Sequence, residues 1–322
     1  MRKKISLFLL LLLFVFSLTG CKAPDEDPVL PEPPAAESED LEWSGTVVLD
    51  GTTYRRRTDL KTVLFLGIDD TQTVEAEGIQ VGNQGRADAV VLFILDKTAK
   101  TTQALTISRN TMTEVDVYKG NGDPAYSGVM QLNMQYAFGD SPARGNFLMK
   151  RTVSELLYNT RIDGCLSMTM EGIAVIVDGM GGITVTLPKD YTDIDAGYTA
   201  GTAVTLDGAA AERFVRYRDV NVSGSAEDRL ERQSWFVHTL FRQMREQGNL
   251  EERLDWMLET AEEYIESDVD AETIKMLADY QMLDETEKVP GTNRAGKLHD
   301  EYYVDEEALK AQIVELFYEP AE

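Results

Sequence analysis

The chain has 322 residues and a formal net charge of −25, with 56 acids against 31 bases. That balance excludes sequence-blind binding to nucleic acid, which needs a basic footprint. A hydrophobic fraction of 43% excludes a wholly disordered chain and is enough for a real core.

In chain order, the first feature is a leader. Arg2, Lys3 and Lys4 are followed by the apolar run Ile5–Leu18 and then Leu18-Thr19-Gly20-Cys21. This is a signal-peptide pattern, and its ending resembles a bacterial lipobox. The resemblance implies a signal peptide over residues 1–20, cleavage before Cys21 and a lipid on the Cys21 thiol. The apolar run is short of the ~20 residues that span a bilayer, which disfavours the rival reading of an uncleaved anchor. Residues 21–43 hold five of the ten prolines among acidic residues, a composition that gives an extended tether. The expected location is the extracellular face of the cytoplasmic membrane, held by two acyl chains.

Thr46–Asp50 and Thr52–Arg56 flank Asp50-Gly51, a hairpin signal. Lys61–Leu66, Ala89–Leu95 and Thr102–Ile107 are predicted strands, the last two joined by a polar turn near Lys97–Lys100. Val129–Phe138 and Arg144–Leu157 read as helices. Leu166–Met170 and Ile183–Leu187 read as strands around a helix at Glu171–Met180, stopped by Gly181-Gly182. Ala209–Tyr217 and Glu227–Arg245 read as helices. Leu250–Ile265, Ala271–Met282 and Asp305–Phe317 have the spacing of amphipathic helices with acidic outer faces, and Gly291–His299 reads as a loop. The alternation predicts an α/β fold, a mixed central sheet with helices on both faces. The expected organisation is a core over residues 44–249 and an acidic helical extension over 250–322, packed on that core.

Once Cys21 is used, Cys165 is alone and cannot form an intramolecular disulfide. A buried, inert thiol is the expected state, because neither His238 nor His299 is placed to activate it. Two histidines and no cysteine cluster argue against zinc.

Four segments carry the candidate chemistry. Strand Leu64–Leu66 runs into Gly67-Ile68-Asp69-Asp70, where ligands of open α/β sheets collect; a solvated turn is the plainer alternative. Gly85-Arg86-Ala87-Asp88 stands just before the next strand. If the two strands are antiparallel neighbours, Asp69 and Asp88 share one rim, where paired carboxylates can hold Mg²⁺. Ser108-Arg109-Asn110 follows a third strand. The fourth segment contains Arg213, Arg216, Arg218, Arg229, Arg232 and Gln233, with interleaved acids and no lysine. It reads either as a salt-bridged surface or as guanidinium forks for phosphate. Arg229 and Gln233, four apart, share a helix face.

Taken in order with Gln131-Leu132-Asn133, Glu171-Gly172-Ile173, Val177–Ile183, Leu206-Asp207-Gly208 and Phe214–Arg218, these segments resemble the LytR-CpsA-Psr family of cell-envelope enzymes. The resemblance covers residues 61–245. It implies phosphotransferase activity that moves an undecaprenyl-pyrophosphate-linked glycopolymer onto a peptidoglycan acceptor. It also implies Mg²⁺ on Asp69 and Asp88, catalytic roles for Asp69, Asp88 and Arg109, and a pyrophosphate grip by Arg86, Arg109, Arg216, Arg218, Arg229 and Gln233. Two departures stand out: Asn110 replaces the family's usual acid, and Gln131 stands where a base is common. A non-catalytic lipid-binding lipoprotein and a polyprenyl-pyrophosphate hydrolase remain the alternative functions.

Overall fold

The computed structural model describes residues 45–69, 81–82, 85–219, 222, 225–246, 252, 256, 259–296 and 299–321. The leader, Cys21, the tether and most of the segment 250–258 lie outside the described residues.

Strand β1 (Thr46–Leu49) and β2 (Thr52–Arg56) form the expected hairpin. Its turn places Asp50 at φ 50° and Gly51 at φ 78°, the left-handed pair that a two-residue hairpin demands. The three strands that follow, β3 (Leu60–Ile68), β4 (Ala87–Asp96) and β5 (Thr101–Thr106), are successive antiparallel neighbours. Strand β8 (Gly164–Thr169) lies parallel to β3 on its other side.

These strands are buried on both faces, which is why they read as unbroken apolar runs. Period-two alternation splits them between two cores. Val63, Phe65, Val91 and Phe93 face one cluster. Leu64, Leu66, Val90 and Leu92 face the other. Each such side chain contributes roughly 1.5–3 kcal/mol on burial, so the sheet is the main source of stability.

Beyond β5, the chain forms a hairpin of β6 (Met112–Tyr118) and β7 (Pro124–Gln131), then a short helix α1 (Met134–Ala137). The helix expected over Val129–Phe138 is therefore corrected. Val129–Gln131 completes a strand whose partners lie in β6, and only the last turn is helical. Helix α2 (Pro142–Leu156) begins as the sequence indicates, with the Ser141 hydroxyl accepting from the Arg144 amide at 3.3 Å and Pro142 at the first helical position.

Helix α3 (Met170–Gly179) ends at Gly181 and Gly182, both with positive φ. Strands β9 (Ile183–Thr186) and β10 (Ala203–Leu206) pair antiparallel, and α4 (Gly208–Arg216) and α5 (Ser225–Glu246) follow. Core residues of α3, α4 and α5 join the first cluster: Ile176, Phe214 and Phe236. Met149 and Val153 of α2 join the second. The architecture is thus the expected α/β fold, a mixed sheet between helical layers.

The C-terminal segment is corrected from helical to mixed. Strand β11 (Ile265–Ser267) pairs with β8, and α6 (Ala271–Asp279) stops three residues short of the expected Met282. Strand β12 (Gln281–Lys288) then adds parallel to β5, completing the six-stranded order β11-β8-β3-β4-β5-β12. The expected loop at Gly291–His299 contains β13 (Gly291–Ala295), which pairs with β14 (Asp300–Val304). Helix α7 (Glu306–Phe317) supplies Leu309, Ile313 and Phe317 to the second cluster. Strand β15 (Tyr318–Pro320) closes against β2. Among the described residues no helix is long and apolar enough to cross a membrane.

Candidate active site

The site lies where β3 ends, β4 begins and β5 ends. Antiparallel pairing brings Ile68 opposite Ala87, and the Asp69 amide donates to the Arg86 carbonyl at 2.9 Å. Asp69 and the Arg86–Asp88 segment therefore share one rim, as the antiparallel arrangement requires. A Cβ at Gly67 would stand 3.0 Å from the Ala89 Cβ, so the close approach of the strands beneath this rim is made for glycine.

Asp88 is the hub. It is 1% exposed, and its two carboxylate oxygens face two guanidinium groups. Arg109, just past β5, donates from Nη1 to Asp88 Oδ1. Arg229, in the first turns of α5, places Nη2 2.8 Å from Asp88 Oδ2, an ion pair without hydrogen-bond alignment. A carboxylate this buried is tolerated because both oxygens are paired.

The remaining arginines ring this core pair. Arg216, the last residue of α4, lies 2.9 Å from Glu212 and 3.6 Å from Asp69. Arg218 directs Nε to the Ser225 hydroxyl at 3.2 Å and Nη2 to the Asp300 carboxylate at 3.6 Å. Arg86 is exposed. The positive charges converge: burial, then Arg229, Arg218 and Arg86, push the Arg109 guanidinium down to about 9, against the opposing pull of Asp69. Burial likewise lowers Arg229, with Asp69 opposing. Guanidinium groups hold their protons in proteins, so both shifts report first the cost of burying a cation and, at Arg109 alone, the neighbouring positive charge as well.

Two donors in this crowd, Arg109 Nε and Arg229 Nε, are buried and lack a hydrogen-bond partner among the described residues. Buried donors without acceptors are costly. Charge-assisted donors of this kind suit anionic oxygens.

Gln233 also braces the frame of the site. It shares the face of α5 with Arg229, but its amide nitrogen donates to the Val215 carbonyl at 3.1 Å, tying α5 to the end of α4. Arg232 also supports that junction. It donates to the Tyr217 carbonyl and stands over the rings of Tyr191 and Phe214, each centroid 5.6 Å away. Both residues brace the segment carrying Arg216 and Arg218. The salt-bridged reading of this segment describes Arg216 with Glu212, while Arg229 reaches inward to Asp88.

Asn110 and Gln131, the two departures, touch each other. They are 3% and 4% exposed, and Gln131 Nε2 donates to Asn110 Oδ1 at 2.9 Å. The pair is a neutral donor and acceptor, so its burial carries no charge. Asn133, one β-turn further, is clipped between motifs. Its amide donates to the Arg109 carbonyl at 3.1 Å, and its carbonyl accepts from the Ala87 amide at 3.3 Å.

The carboxylates fit Mg²⁺ in kind. Among the described residues no group of three or more His, Cys, Asp or Glu side chains is arranged to hold a metal. Mg²⁺ is commonly bound through one or two carboxylates, with waters and substrate phosphates completing the shell. Asp69 is the accessible carboxylate, 46% exposed, whereas Asp88 has both oxygens engaged by arginine.

The LytR_cpsA_psr family model matches residues 35–316. This chain belongs to that family. It is 31% identical over 166 residues to the polyisoprenyl-teichoic acid–peptidoglycan teichoic acid transferase TagU of Bacillus licheniformis, covering 51% of this chain and 45% of the relative. To TagV of Bacillus subtilis it is 27% identical over 214 residues, 65% of this chain and 49% of the relative. The chain thus spans about half the length of the curated relatives it matches. The crystal structure of Bacillus subtilis TagU superposes with a TM-score of 0.58 at 22% identity, over 80% of this chain and 95% of the other. The family fold is therefore shared well beyond the level of sequence identity.

Proposed function

We propose that this LytR-CpsA-Psr protein transfers a glycopolymer from a polyprenyl pyrophosphate carrier to peptidoglycan. The observation that carries the proposal is the pair of guanidinium groups, Arg109 and Arg229, set on the two oxygens of buried Asp88. Arg86, Arg216 and Arg218 surround that pair. Relatives named as teichoic acid transferases support the substrate class.

In this reading the arginines hold the pyrophosphate and neutralise charge on its oxygens, the dominant need in phosphoryl transfer. Arg109 and Arg229, fixed by Asp88, are pre-aimed. Arg216 and Arg218, more exposed, close on the ligand. A sugar hydroxyl of the wall attacks the sugar-proximal phosphorus. The new P–O bond forms as the bond to the polyprenyl phosphate breaks, and the hydroxyl proton ends on that leaving phosphate. Mg²⁺, when bound, adds charge neutralisation at the phosphates. Asp69 is the carboxylate that would hold it, and Asp88 would join only by giving up one of its arginine partners. Lipidated Cys21 and the tether after it would place the site at the outer face of the membrane, where the carrier lipid lies.

Product analysis tests this reading. Incubation with a polyprenyl-pyrophosphate-linked saccharide and peptidoglycan fragments should give a phosphodiester-joined product by mass spectrometry. Release of free phosphorylated sugar at the same rate with and without acceptor would assign a hydrolase instead. Tight binding of the lipid with no product of either kind would assign a carrier.

A further inference from the structure

The C-terminal hairpin contributes a residue to this site. Strand β14 begins at Asp300, opposite Ala295 of β13. Two hydrogen bonds fix that strand, one to the segment after β5 and one from Gln131 of β7. The Tyr302 amide donates to the Asn110 carbonyl at 2.9 Å. Tyr302 also bridges Thr111 in parallel. The Gln131 amide nitrogen donates at 2.9 Å to the Asp300 carbonyl while it also donates at 2.9 Å to Asn110 Oδ1. One buried amide thus ties the Arg109–Asn110 segment to the backbone of Asp300.

With its backbone held, the Asp300 side chain is directed at Arg218, Oδ2 to Nη2 at 3.6 Å. The other side of that guanidinium is held by Ser225, at 3.2 Å from Nε. Arg218 lies past the end of α4, outside any helix that would fix its backbone. Its side chain is therefore oriented by two partners, one at the start of α5 and one at the start of β14. Asp300 and Arg218 are 27% and 26% exposed, so the pair is accessible to a ligand but sheltered from full solvent.

We infer that Asp300 is a positioning residue of this site: it orients Arg218 for the pyrophosphate through a carboxylate supplied from outside the arginine-bearing segments. The ligand in this inference comes from the proposed function, but the Asp300–Arg218 bracket does not depend on it. Gln131 has a specific part in the arrangement. A neutral amide at that position can serve Asn110 and the Asp300 carbonyl together, so the residue that departs from the family's common base is the one that anchors the hairpin.

The test is a double-mutant cycle on the full chain with geranylgeranyl pyrophosphate as probe. Asp300→Asn keeps the backbone carbonyl that Gln131 binds, so the variant retains the hairpin anchor. Asp300→Asn should weaken probe binding about fivefold, the scale of a partly exposed ion pair. It should have no further effect in an Arg218→Ala background, and Asp300→Glu should restore most of the loss. In a crystal structure of Asp300→Asn, the Arg218 guanidinium should leave Ser225. Equal or tighter binding by Asp300→Asn, or the same fivefold loss without Arg218, would overturn the inference. If the wild-type protein does not bind the probe, the pyrophosphate reading fails. The crystal structure then decides Asp300 by itself, and an Arg218 that stays on Ser225 refutes it.

Discussion

Asp88 and Arg229 meet at 2.8 Å across the join between β4 and α5, and the carboxylate is only 1% exposed. With Arg109 on its other oxygen, Asp88 serves stability and chemistry together, whereas Asp69 on the same rim is exposed. Substitution should separate the two. Asp88→Ala leaves two buried guanidinium groups unpaired and should cost about 3–5 kcal/mol of folding stability, read by urea denaturation. Asp69→Ala should change stability by less than about 0.5 kcal/mol, as for ordinary surface positions, while lowering turnover by about a hundredfold or more. Equal stability losses would contradict this division.

The Asn110–Gln131 pair makes a second prediction. Asn110→Asp buries a charge beside an amide tuned to a neutral partner and should destabilise the fold by roughly 1–3 kcal/mol. Adding Gln131→Lys should recover a large part of that loss, giving a coupling of about 1 kcal/mol or more in the double-mutant cycle. Additive effects would show that the two positions are not partners.

Acid should weaken the fold through a staple at the foot of β3. The Arg57 guanidinium lies on both Asp59 and Asp96. Its hydrogen bond, with help from Thr98, holds the Asp59 carboxyl down at about 2. A carboxyl depressed in the folded state stabilises it above the unfolded value near 4, and that contribution is lost as pH falls toward 2. With Asp59 a third exposed, the effect is at most about 1 kcal/mol. The stability gap between wild type and Arg57→Ala should be present at pH 7 and should shrink by pH 2.5. A gap independent of pH would contradict the staple.

Cys165 should be inert. It is fully buried, and burial, reinforced by the Asp268 charge, pushes its thiol well above the usual range. Native protein should resist alkylation at Cys165 at pH 8, followed by peptide mass spectrometry, and react promptly once unfolded. Rapid native labelling would show that the strand opens.

The central sheet was legible because its strands are continuous apolar runs with clear turns, and the rim of Asp69 and Asp88 followed from pairing adjacent strands. The spacing of Arg229 and Gln233 placed both on one helix face, but spacing does not say which side chain reaches Asp88 and which braces Val215. The Val129–Phe138 segment misled because Val129, Met130, Leu132 and Tyr136 have near-helical spacing; its true partner strand precedes it across a polar turn. Strand β12, with the sequence Gln-Met-Leu-Asp-Glu-Thr-Glu-Lys, has little strand propensity and is set by pairing with β5 far back in the chain. Asp300 was invisible among many acids of the C-terminal segment. The one available signal was the paired loss of charge at Asn110 and Gln131, which points to contact between them.

Transfer at the arginine cluster is the central claim, and its most direct measurement is the rate of glycopolymer transfer from a polyprenyl pyrophosphate to peptidoglycan fragments with Mg²⁺ present. Arg218→Ala, at a partly buried position, and Asp69→Ala, at an exposed one, should each lower that rate by about a hundredfold or more, the scale of losing a group that stabilises transition-state charge. Wild-type rates in both variants would place the reaction elsewhere on the molecule and contradict the account.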